Sequence, residues 1–266
     1  MYDIAILGGG PAGLTAAIHA RVRGKTALVV SSEPSDSPLC RAERIDNYPG
    51  LPKTGGRALV EKLVAQAREL GAEVKPGRVL TVMMQKDSCM LSVGQDVVEA
   101  RALILATGLQ RAAKLPGEAE LLGRGVSYCA TCDGMFYRGK TVVVAGDASD
   151  LEEEAGFLEQ IGCHVTRVGL AGLKILGEGR VEAVESQGER IACDGVFLLR
   201  RSVALSDLLP ALETENGYVK VDRAMHTSLP RVYAAGDCTG QPLQLAKAVG
   251  EGQMAAHTAC LELDEG

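Results

Sequence analysis

Residues 2–13, YDIAILGGGPAG, decide the fold of this chain. The apolar stretch before the glycines predicts a buried strand over 2–7, and the stretch after them predicts a helix over 14–23 that ends at Gly24. A second strand is expected over 26–30. A strand, a glycine loop, a helix and a parallel strand in this order form a βαβ unit, which is typical of a doubly wound α/β fold.

The glycine loop has the spacing G-x-G-x-x-G directly between a strand and a helix. Gly8 permits the tight turn, Gly10 lets the backbone approach a pyrophosphate, and Gly13 allows the helix to pack closely on the strand. Pro11 and Ala12 open the helix, whose N-terminus favours negative charge. The pattern predicts a dinucleotide site, and a glycine-rich turn without a ligand is the alternative.

The acidic residue that usually binds the ribose at the end of the second strand is less clear. Ser31 stands near that position, and Glu33 follows two residues later. Either side chain could bind the ribose.

A second βαβ unit follows much later in the chain. It has an expected strand over 141–145, a turn at Gly146 and a helix from about 150 to 161. Two such units favour an α/β fold with two Rossmann-like three-layer domains. Crossovers between the domains are expected near 112–117 and 206–213.

Composition limits the classes of partner. The chain has 266 residues, a net charge of −6 and a pI near 5.4, which offers no electrostatic attraction to nucleic acid or to an anionic membrane. The N-terminus lacks the pattern of a signal peptide, and no apolar run approaches the roughly 20 residues of a membrane helix. A cytoplasmic location is therefore expected.

Cys129 and Cys132 form the only closely spaced pair among eight cysteines. A C-x-x-C motif is a redox pair, half of a zinc site or an inert pair; a four-cysteine zinc site would need a second close pair, which is absent, so no metal is expected. A C-x-x-C setting favours the thiolate needed to attack a disulfide. Asp133 is placed to shuttle a proton, or it only caps a helix or faces solvent.

The segment around the pair, GRGVSYCATCDGMFY over 123–137, resembles the active-site segment of the low-molecular-weight thioredoxin reductases. The likeness covers nearly the whole chain, because further motifs of that family occur in the expected order. They are Asn47-Tyr48-Pro49-Gly50, Ala106-Thr107-Gly108, Asn216-Gly217-Tyr218 and Ala234-Ala235-Gly236-Asp237.

The resemblance implies a flavoprotein with FAD as cofactor and thioredoxin as partner. It also implies a homodimer, an FAD-binding domain made of 1–112 and 209–266, and an inserted domain over 113–208 that carries the cysteine pair. In that domain, Cys132 would be the sulfur next to the flavin, Cys129 the sulfur that attacks the partner's disulfide, and Asp133 the acid and base.

The resemblance also places the cofactor contacts. Gly236 and Asp237 would bind the ribityl and phosphate part of FAD, and the residues over 244–246 would lie by the flavin ring. With the glycine loop and Ser31, the full set of expected cofactor-binding residues is Gly8, Gly10, Pro11, Ala12, Gly13, Ser31, Asn47, Ala106, Thr107, Gly108, Gly236, Asp237, Gln244, Leu245 and Ala246.

The second glycine loop departs from the NADPH-using members of the family. Over 146–151, GDASDL, the second glycine is replaced by Ala148, whose Cβ obstructs a pyrophosphate, and the small last residue is replaced by Leu151. Asp147 and Asp150 add negative charge where a pyrophosphate would bind. The basic cluster that grips a 2′-phosphate is missing as well.

A shortened, degenerate second domain resembles the ferredoxin-dependent flavin thioredoxin reductase branch, which implies reduced ferredoxin as electron donor. An NAD(P)H-dependent thioredoxin reductase with an atypical nicotinamide site is one alternative, and a non-catalytic flavin redox sensor is another. An acidic ferredoxin would need a local basic patch. Candidates are the run Arg21, Arg23 and Lys25 and the pair Arg200-Arg201, although both could be ordinary solvated faces.

Overall fold

The computed structural model describes residues 1–32, 37–108, 114–147, 151–200 and 205–265. The chain divides into two units, of which unit 1 comprises Met1–Gln110 with Ala204–Gly266 and unit 2 comprises Arg111–Val203. The sequence-based junctions, 112/113 and 208/209, differ from these by a few residues, and the division at both points falls within undescribed segments.

The described part of unit 1 contains α-helices and β-strands on both sides of unit 2 in the chain. In chain order they are β1 Tyr2–Leu7, α1 Pro11–Val22, β2 Ala27–Ser31, α2 Gly56–Glu69, β3 Glu73–Pro76, β4 Val79–Met84, β5 Cys89–Val93 and β6 Asp96–Leu105, followed after unit 2 by α6 Leu205–Leu208, β14 Thr214–Glu215, β15 Tyr218–Val219, β16 Val232–Ala234 and α7 Leu245–Glu265.

The main sheet of unit 1 has β1 at its centre. Strands β3, β2, β1, the second half of β6 and β16 are parallel neighbours, while β4, β5 and the first half of β6 form an antiparallel meander. The register pairs Ile4 of β1 with Ala27 on one side and Ala102 on the other. The carboxyl ends of these five parallel strands therefore meet at one edge, where nucleotides bind in such sheets.

Helices α1, α2 and α7 pack their buried faces against this sheet and form a hydrophobic core with it. The inward face of α1 is made of small residues, including Ala16, Ala17 and Ala20, which are fully buried. Helix α1 begins at Pro11, three residues before the predicted start, because Gly10 is extended and proline is suited to the first helical position.

Unit 2 contains its own strands and helices. They are α3 Glu118–Leu121, β7 Val126–Ser127, α4 Ala130–Asp133, β8 Thr141–Gly146, α5 Leu151–Gln160, β9 His164–Val168, β10 Lys174–Leu176, β11 Ala183–Ser186, β12 Glu189–Ala192 and β13 Gly195–Leu199.

Four parallel strands in the order β7-β13-β8-β9 form the sheet of unit 2. Its side chains alternate between two cores: Val143 and Val196 face the core that also contains Leu173, whereas Val144 and Phe197 face the core beneath α5. The antiparallel strands β10-β11-β12 lie between β9 and β13 in the chain and form a separate sheet. A longer domain of this type would have further strand–helix–strand crossovers at this point.

Both units therefore are α/β with parallel strands and helices at the expected places, and the predicted fold class is confirmed. In the part of the chain that the structure describes, no helix combines the length and apolar character needed to cross a membrane.

Candidate active site

The first glycine loop follows β1 in a conformation that requires glycine at two positions. Gly8 has φ +115°, and a Cβ there would lie 2.2 Å from the carbonyl oxygen of Ala106. A Cβ on Gly13 would lie 1.9 Å from the Gly8 carbonyl oxygen. Neither position tolerates a side chain, because the opposing atoms are backbone.

Gly10 differs from those two glycines because open space faces it. Apart from its chain neighbours, no atom of the described residues lies within 4 Å of the position of its Cβ, and Gly10 is the N-cap of α1 without any side-chain capping bond. Helix α1 therefore presents its first backbone N–H groups to an open region at the sheet edge. This geometry fits a pyrophosphate.

Thr107 adds a second sign of a ligand at the same edge. Ala106, Thr107 and Gly108 follow β6, and the Thr107 hydroxyl is buried without a hydrogen-bond partner among the described residues. A buried hydroxyl without a partner is costly, so a ligand atom is expected to satisfy it. Ser31 ends β2 directly behind the loop, where its Oγ would be 2.4 Å from a Cβ on Gly9. The alternative ribose ligand Glu33 lies outside the described residues.

The end of β16 approaches α1 from the other side of the loop. Gly236 has φ +87°, and a Cβ there would lie 2.9 Å from the Ala12 Cβ. Its backbone is fixed by two side chains of α7, because Glu251 accepts its N–H at 2.8 Å and Lys247 donates to its carbonyl at 2.9 Å. Burial raises the pKa of the neighbouring Asp237 carboxyl, Lys247 opposes this and Glu251 adds to it.

Asn47 and Gln244 are distant in sequence and meet in the structure. The Asn47 side-chain amide donates to the Gln244 carbonyl oxygen at 3.0 Å. Leu245 and Ala246 follow at the first turn of α7, and Gln244 and Ala246 are exposed. The predicted flavin-ring contacts over 244–246 are thus adjacent to the predicted contact at Asn47.

The cysteine pair of unit 2 is a disulfide. Cys129 and Cys132 are joined, and the Cys129 sulfur also accepts the Cys132 N–H at 3.0 Å. Cys129 ends the extended segment after β7, and Cys132 lies in the single turn α4. Cys129 is 6% exposed whereas Cys132 is exposed, so the predicted attack by Cys129 requires that its sulfur become accessible after reduction.

Asp133 is bound to the segment that leads into the disulfide. The Ser127 hydroxyl donates to the Asp133 carboxylate at 2.6 Å, and the Cys129 N–H donates to the same hydroxyl oxygen at 3.1 Å. A short 3₁₀ helix, Gly134–Tyr137, follows Asp133. The Asp133 side chain makes no capping hydrogen bond to it, so the capping alternative is wrong. The structure therefore places the half-buried Asp133 carboxylate close to the disulfide.

Two buried glutamates around this segment were not predicted. Glu154 of α5 accepts the N–H of Ala130 at 2.7 Å. Glu118 accepts from Arg200 and from the hydroxyl of Tyr128, the residue before Cys129. Burial raises the pKa of the Glu118 carboxyl, but the hydrogen bonds from Arg200, Leu115 and Tyr128 prevail and lower it. Sequence patterns do not reveal such partners, because charged residues on short helices usually face solvent.

The second glycine loop is only partly described. Gly146 ends β8, where a Cβ would be 1.9 Å from the Leu199 carbonyl oxygen, and Leu151 packs against the core beneath α5. Ala148 and Asp150, which are expected to obstruct or repel a pyrophosphate, lie outside the described residues.

Two described cations in the stretch that follows this loop, Arg167 and Lys174, are paired with acids. Arg167 donates to Glu152 at 3.0 Å and to Glu159 at 2.8 Å, and both acids belong to α5. Lys174 forms an ion pair with Glu185 at 2.7 Å. Both of these side chains thus have acidic partners among the described residues.

The predicted basic patches are mostly committed to internal contacts. Arg200 is 14% exposed and binds Glu118, so its description as part of a solvated or docking face is wrong. Arg21 donates to the carbonyls of Leu70 and Lys25, and Lys25 pairs with Asp264. Arg201 lies outside the described residues.

The remaining cysteines behave as buried apolar residues, except that Cys40 is half-buried. Cys238, which lies near the predicted cofactor site, is deeply buried, and burial raises the pKa of its thiol to about 12. Within the described ranges, no cluster of three or more histidine, cysteine, aspartate or glutamate side chains could hold a metal ion.

Comparison with known proteins defines the class. The model of the pyridine nucleotide-disulphide oxidoreductase family matches this chain over residues 2–172 and 168–252. The chain belongs to this family, and FAD is its cofactor.

Within that family the chain is a member of the thioredoxin reductases. It is 30% identical to a thioredoxin reductase of Listeria innocua over 302 residues, an alignment that covers 100% of this chain and 95% of that protein. The resemblance found in the sequence is thereby confirmed.

Two solved structures are closely similar. A ferredoxin-flavin thioredoxin reductase from Clostridium acetobutylicum has a TM-score of 0.91 and 36% identity, covering 100% of this chain and 99% of that chain. A thioredoxin reductase from Gloeobacter violaceus has a TM-score of 0.84 and 32% identity, covering 99% and 94%.

Proposed function

We propose that this thioredoxin reductase takes electrons from reduced ferredoxin rather than from NADPH or NADH and delivers them through Cys129 and Cys132 to thioredoxin. The observation that carries the donor proposal is the engagement of Arg167 by Glu152 and Glu159 at the start and end of α5. A site for NADPH needs free cations at this place, because the 2′-phosphate is recognised by charge-assisted bonds. The similarity to a ferredoxin-flavin enzyme supports the same donor.

FAD bound in unit 1 would supply the redox chemistry that links a one-electron donor to the two-electron reduction of a disulfide. The residues proposed to hold it share the edge of the unit 1 sheet and the start of α7. They are Gly8, Gly10, Pro11, Ala12, Gly13, Ser31, Asn47, Ala106, Thr107, Gly108, Gly236, Asp237, Gln244, Leu245 and Ala246.

Among these residues, Gly10 leaves the room for the pyrophosphate, and the Thr107 hydroxyl offers an unused hydrogen bond. Lys247 and Glu251 do not need to contact FAD. They hold the backbone of Gly236 in its left-handed conformation, so that Asp237 is presented at the carboxyl end of β16.

The chemistry of the pair balances as a two-electron exchange. Two reduced ferredoxins and two protons convert the Cys129–Cys132 disulfide to a dithiol. The Cys129 thiolate then attacks the thioredoxin disulfide and forms a mixed disulfide, which Cys132 resolves, releasing thioredoxin dithiol and restoring the disulfide. Asp133 gives and takes the protons that these steps require. We further infer a homodimer that acts in the cytoplasm.

The test is an anaerobic titration of the purified flavoprotein, following flavin absorbance. Excess NADPH and then NADH are expected to leave the flavin oxidised, and enzymatically reduced ferredoxin is expected to bleach it within seconds. With thioredoxin present, only the ferredoxin system should produce thioredoxin dithiol. Bleaching by either nicotinamide within seconds would show an NAD(P)H-dependent enzyme instead.

A control separates donor from acceptor. Protein whose flavin has been reduced by dithionite should reduce thioredoxin whatever the natural donor is. If dithionite-reduced protein leaves thioredoxin oxidised, the chain is a flavin redox sensor and the proposed catalytic function is wrong.

A further inference from the structure

The carboxylate of Glu154 lies against the backbone between the two redox cysteines. Glu154 is 8% exposed, and its Oε2 accepts the N–H of Ala130 at 2.7 Å. Ala130 directly follows Cys129 and begins α4, the four-residue helix that carries Cys132. A charged side chain is rarely buried unless it is paired or hydrogen-bonded.

We propose that Glu154 is a positioning residue for the redox pair. Its carboxylate holds the Ala130 N–H, and its negative charge limits the fraction of the reduced cysteines that is present as thiolate. The inference rests on the proposed function only in taking Cys129 and Cys132 as redox-active. It does not depend on which donor reduces them.

The Glu154 carboxylate must lie close to the Cys129 sulfur. The Ala130 nitrogen is bonded to the carbonyl carbon of Cys129, so standard bond lengths keep the carboxylate within about 7 Å of the Cys129 sulfur. A like charge at this range from the buried Cys129 sulfur disfavours a second negative charge there. The dithiol would then hold its protons to higher pH than the same pair without Glu154.

Other charged groups face the pair as well. Asp133 is on α4 and binds the Ser127 hydroxyl, while Glu118 acts through Tyr128 and is paired with Arg200. Among the described residues, Glu154 is the carboxylate that accepts the backbone N–H of Ala130, which lies between the cysteines. Glu154→Gln changes the local charge by one unit, whatever else the side chain contacts.

The experiment compares wild-type holoenzyme with Glu154→Gln and with Glu153→Gln. Glutamine keeps an oxygen that can accept the Ala130 N–H, so the variant should fold. Glu153 is the exposed neighbour on the same helix and serves as the matched control. Each protein is reduced with dithiothreitol, freed of it, and alkylated with iodoacetamide across a range of pH.

For Glu154→Gln we expect the midpoint of the rate-versus-pH curve to fall by about one pH unit. Below the midpoint the rate should rise about threefold, because a tenfold gain in thiolate is partly offset by its lower nucleophilicity. Glu153→Gln should match the wild type. Glu154→Asp, which keeps the charge but withdraws it by about one bond length, should give an intermediate midpoint.

A Glu154→Gln curve that overlies the wild-type curve, with flavin absorbance retained, would overturn the inference. If that variant loses its flavin, Glu154→Asp decides, and a midpoint identical to the wild type would overturn it. Failure of the proposed function looks different, because the wild-type pair would then resist reduction by dithiothreitol or, once reduced, would not reduce thioredoxin.

Discussion

At the scale of single residues, Glu118 joins three parts of unit 2. It is fully buried, and its two oxygens accept bonds from Arg200 at 2.6 and 2.8 Å, from the Tyr128 hydroxyl at 2.9 Å and from the Leu115 N–H at 2.7 Å. Leu115 lies near the start of unit 2, Arg200 near its end and Tyr128 beside the disulfide. One carboxylate thus ties the entering and leaving chain to the redox segment.

Replacing Glu118 with alanine is expected to destabilise the protein by about 3 kcal/mol, because the half-buried Arg200 loses its bidentate partner. Unfolding in urea, followed by circular dichroism, measures the change. Glu120→Ala is the matched control, since Glu120 belongs to the same short helix and is exposed; it should stay within about 0.5 kcal/mol of the wild type. Equal effects of the two substitutions would contradict a structural role for the Glu118 bonds.

At the scale of elements, α7 packs on the first turn of α1 through a glycine. A Cβ on Gly252 would lie 2.1 Å from the Ala12 carbonyl oxygen, a backbone atom that cannot move aside alone. The close approach brings Lys247 and Glu251 to Gly236 as well. The glycine loop and the end of β16 are therefore held together by one helix pair.

Gly252→Ala is expected to force α7 away from α1 and to cost about 1–3 kcal/mol, as other overpacking substitutions do. Flavin should also dissociate faster, because Ala12 is in the proposed FAD site. Flavin release on dilution and urea unfolding report the two effects.

Gly250→Ala provides the control on the same helix. No atom lies within 4 Å of its Cβ position, so alanine should be neutral or should stabilise α7 by up to about 1 kcal/mol through its higher helix propensity. If Gly250→Ala lost flavin as fast as Gly252→Ala, the close packing of Gly252 on Ala12 would not explain the loss.

At the scale of the whole molecule, an exposed apolar pair lies three and four residues after Cys132. Met135 is 58% exposed and Phe136 is 74% exposed, whereas most large apolar side chains of the described residues are buried. Exposed aromatic side chains next to a reactive site favour a protein partner, since they supply contact area at low entropic cost. This surface is suited to a disulfide-bearing protein such as the proposed thioredoxin.

Phe136→Ala should therefore lower kcat/KM for thioredoxin about tenfold. The rate with a small aromatic disulfide, which needs no protein surface, should change less than twofold. Val97→Ala, which removes a 65% exposed side chain from β6 of unit 1, should affect neither rate. Steady-state assays with dithionite-reduced protein measure both substrates, and a parallel loss for the two would argue against a docking role.

Much of the fold was predictable because its signals are local. The turn at Gly8 and the apolar runs of β1 and β8 depend on backbone geometry and on spacing within a few residues, so the strands and helices were predicted within a few positions. The pair Cys129 and Cys132 was likewise visible from its spacing. The functions of Asn47 and Gln244 were inferred only by resemblance, and the structure adds that the two side chains touch.

The sequence by itself determined the α/β class, the glycine loop and the redox pair, because each follows from residue type and short-range spacing. Only the tertiary structure decided which charges are free. Arg200 and Arg167 look like available cations in the sequence, yet they are bound by Glu118 and by the acids of α5. Glu154 looks like an ordinary helix-surface residue, yet it binds the Ala130 backbone. Ion pairing and burial depend on contacts between distant segments, and local spacing carries no information about those contacts.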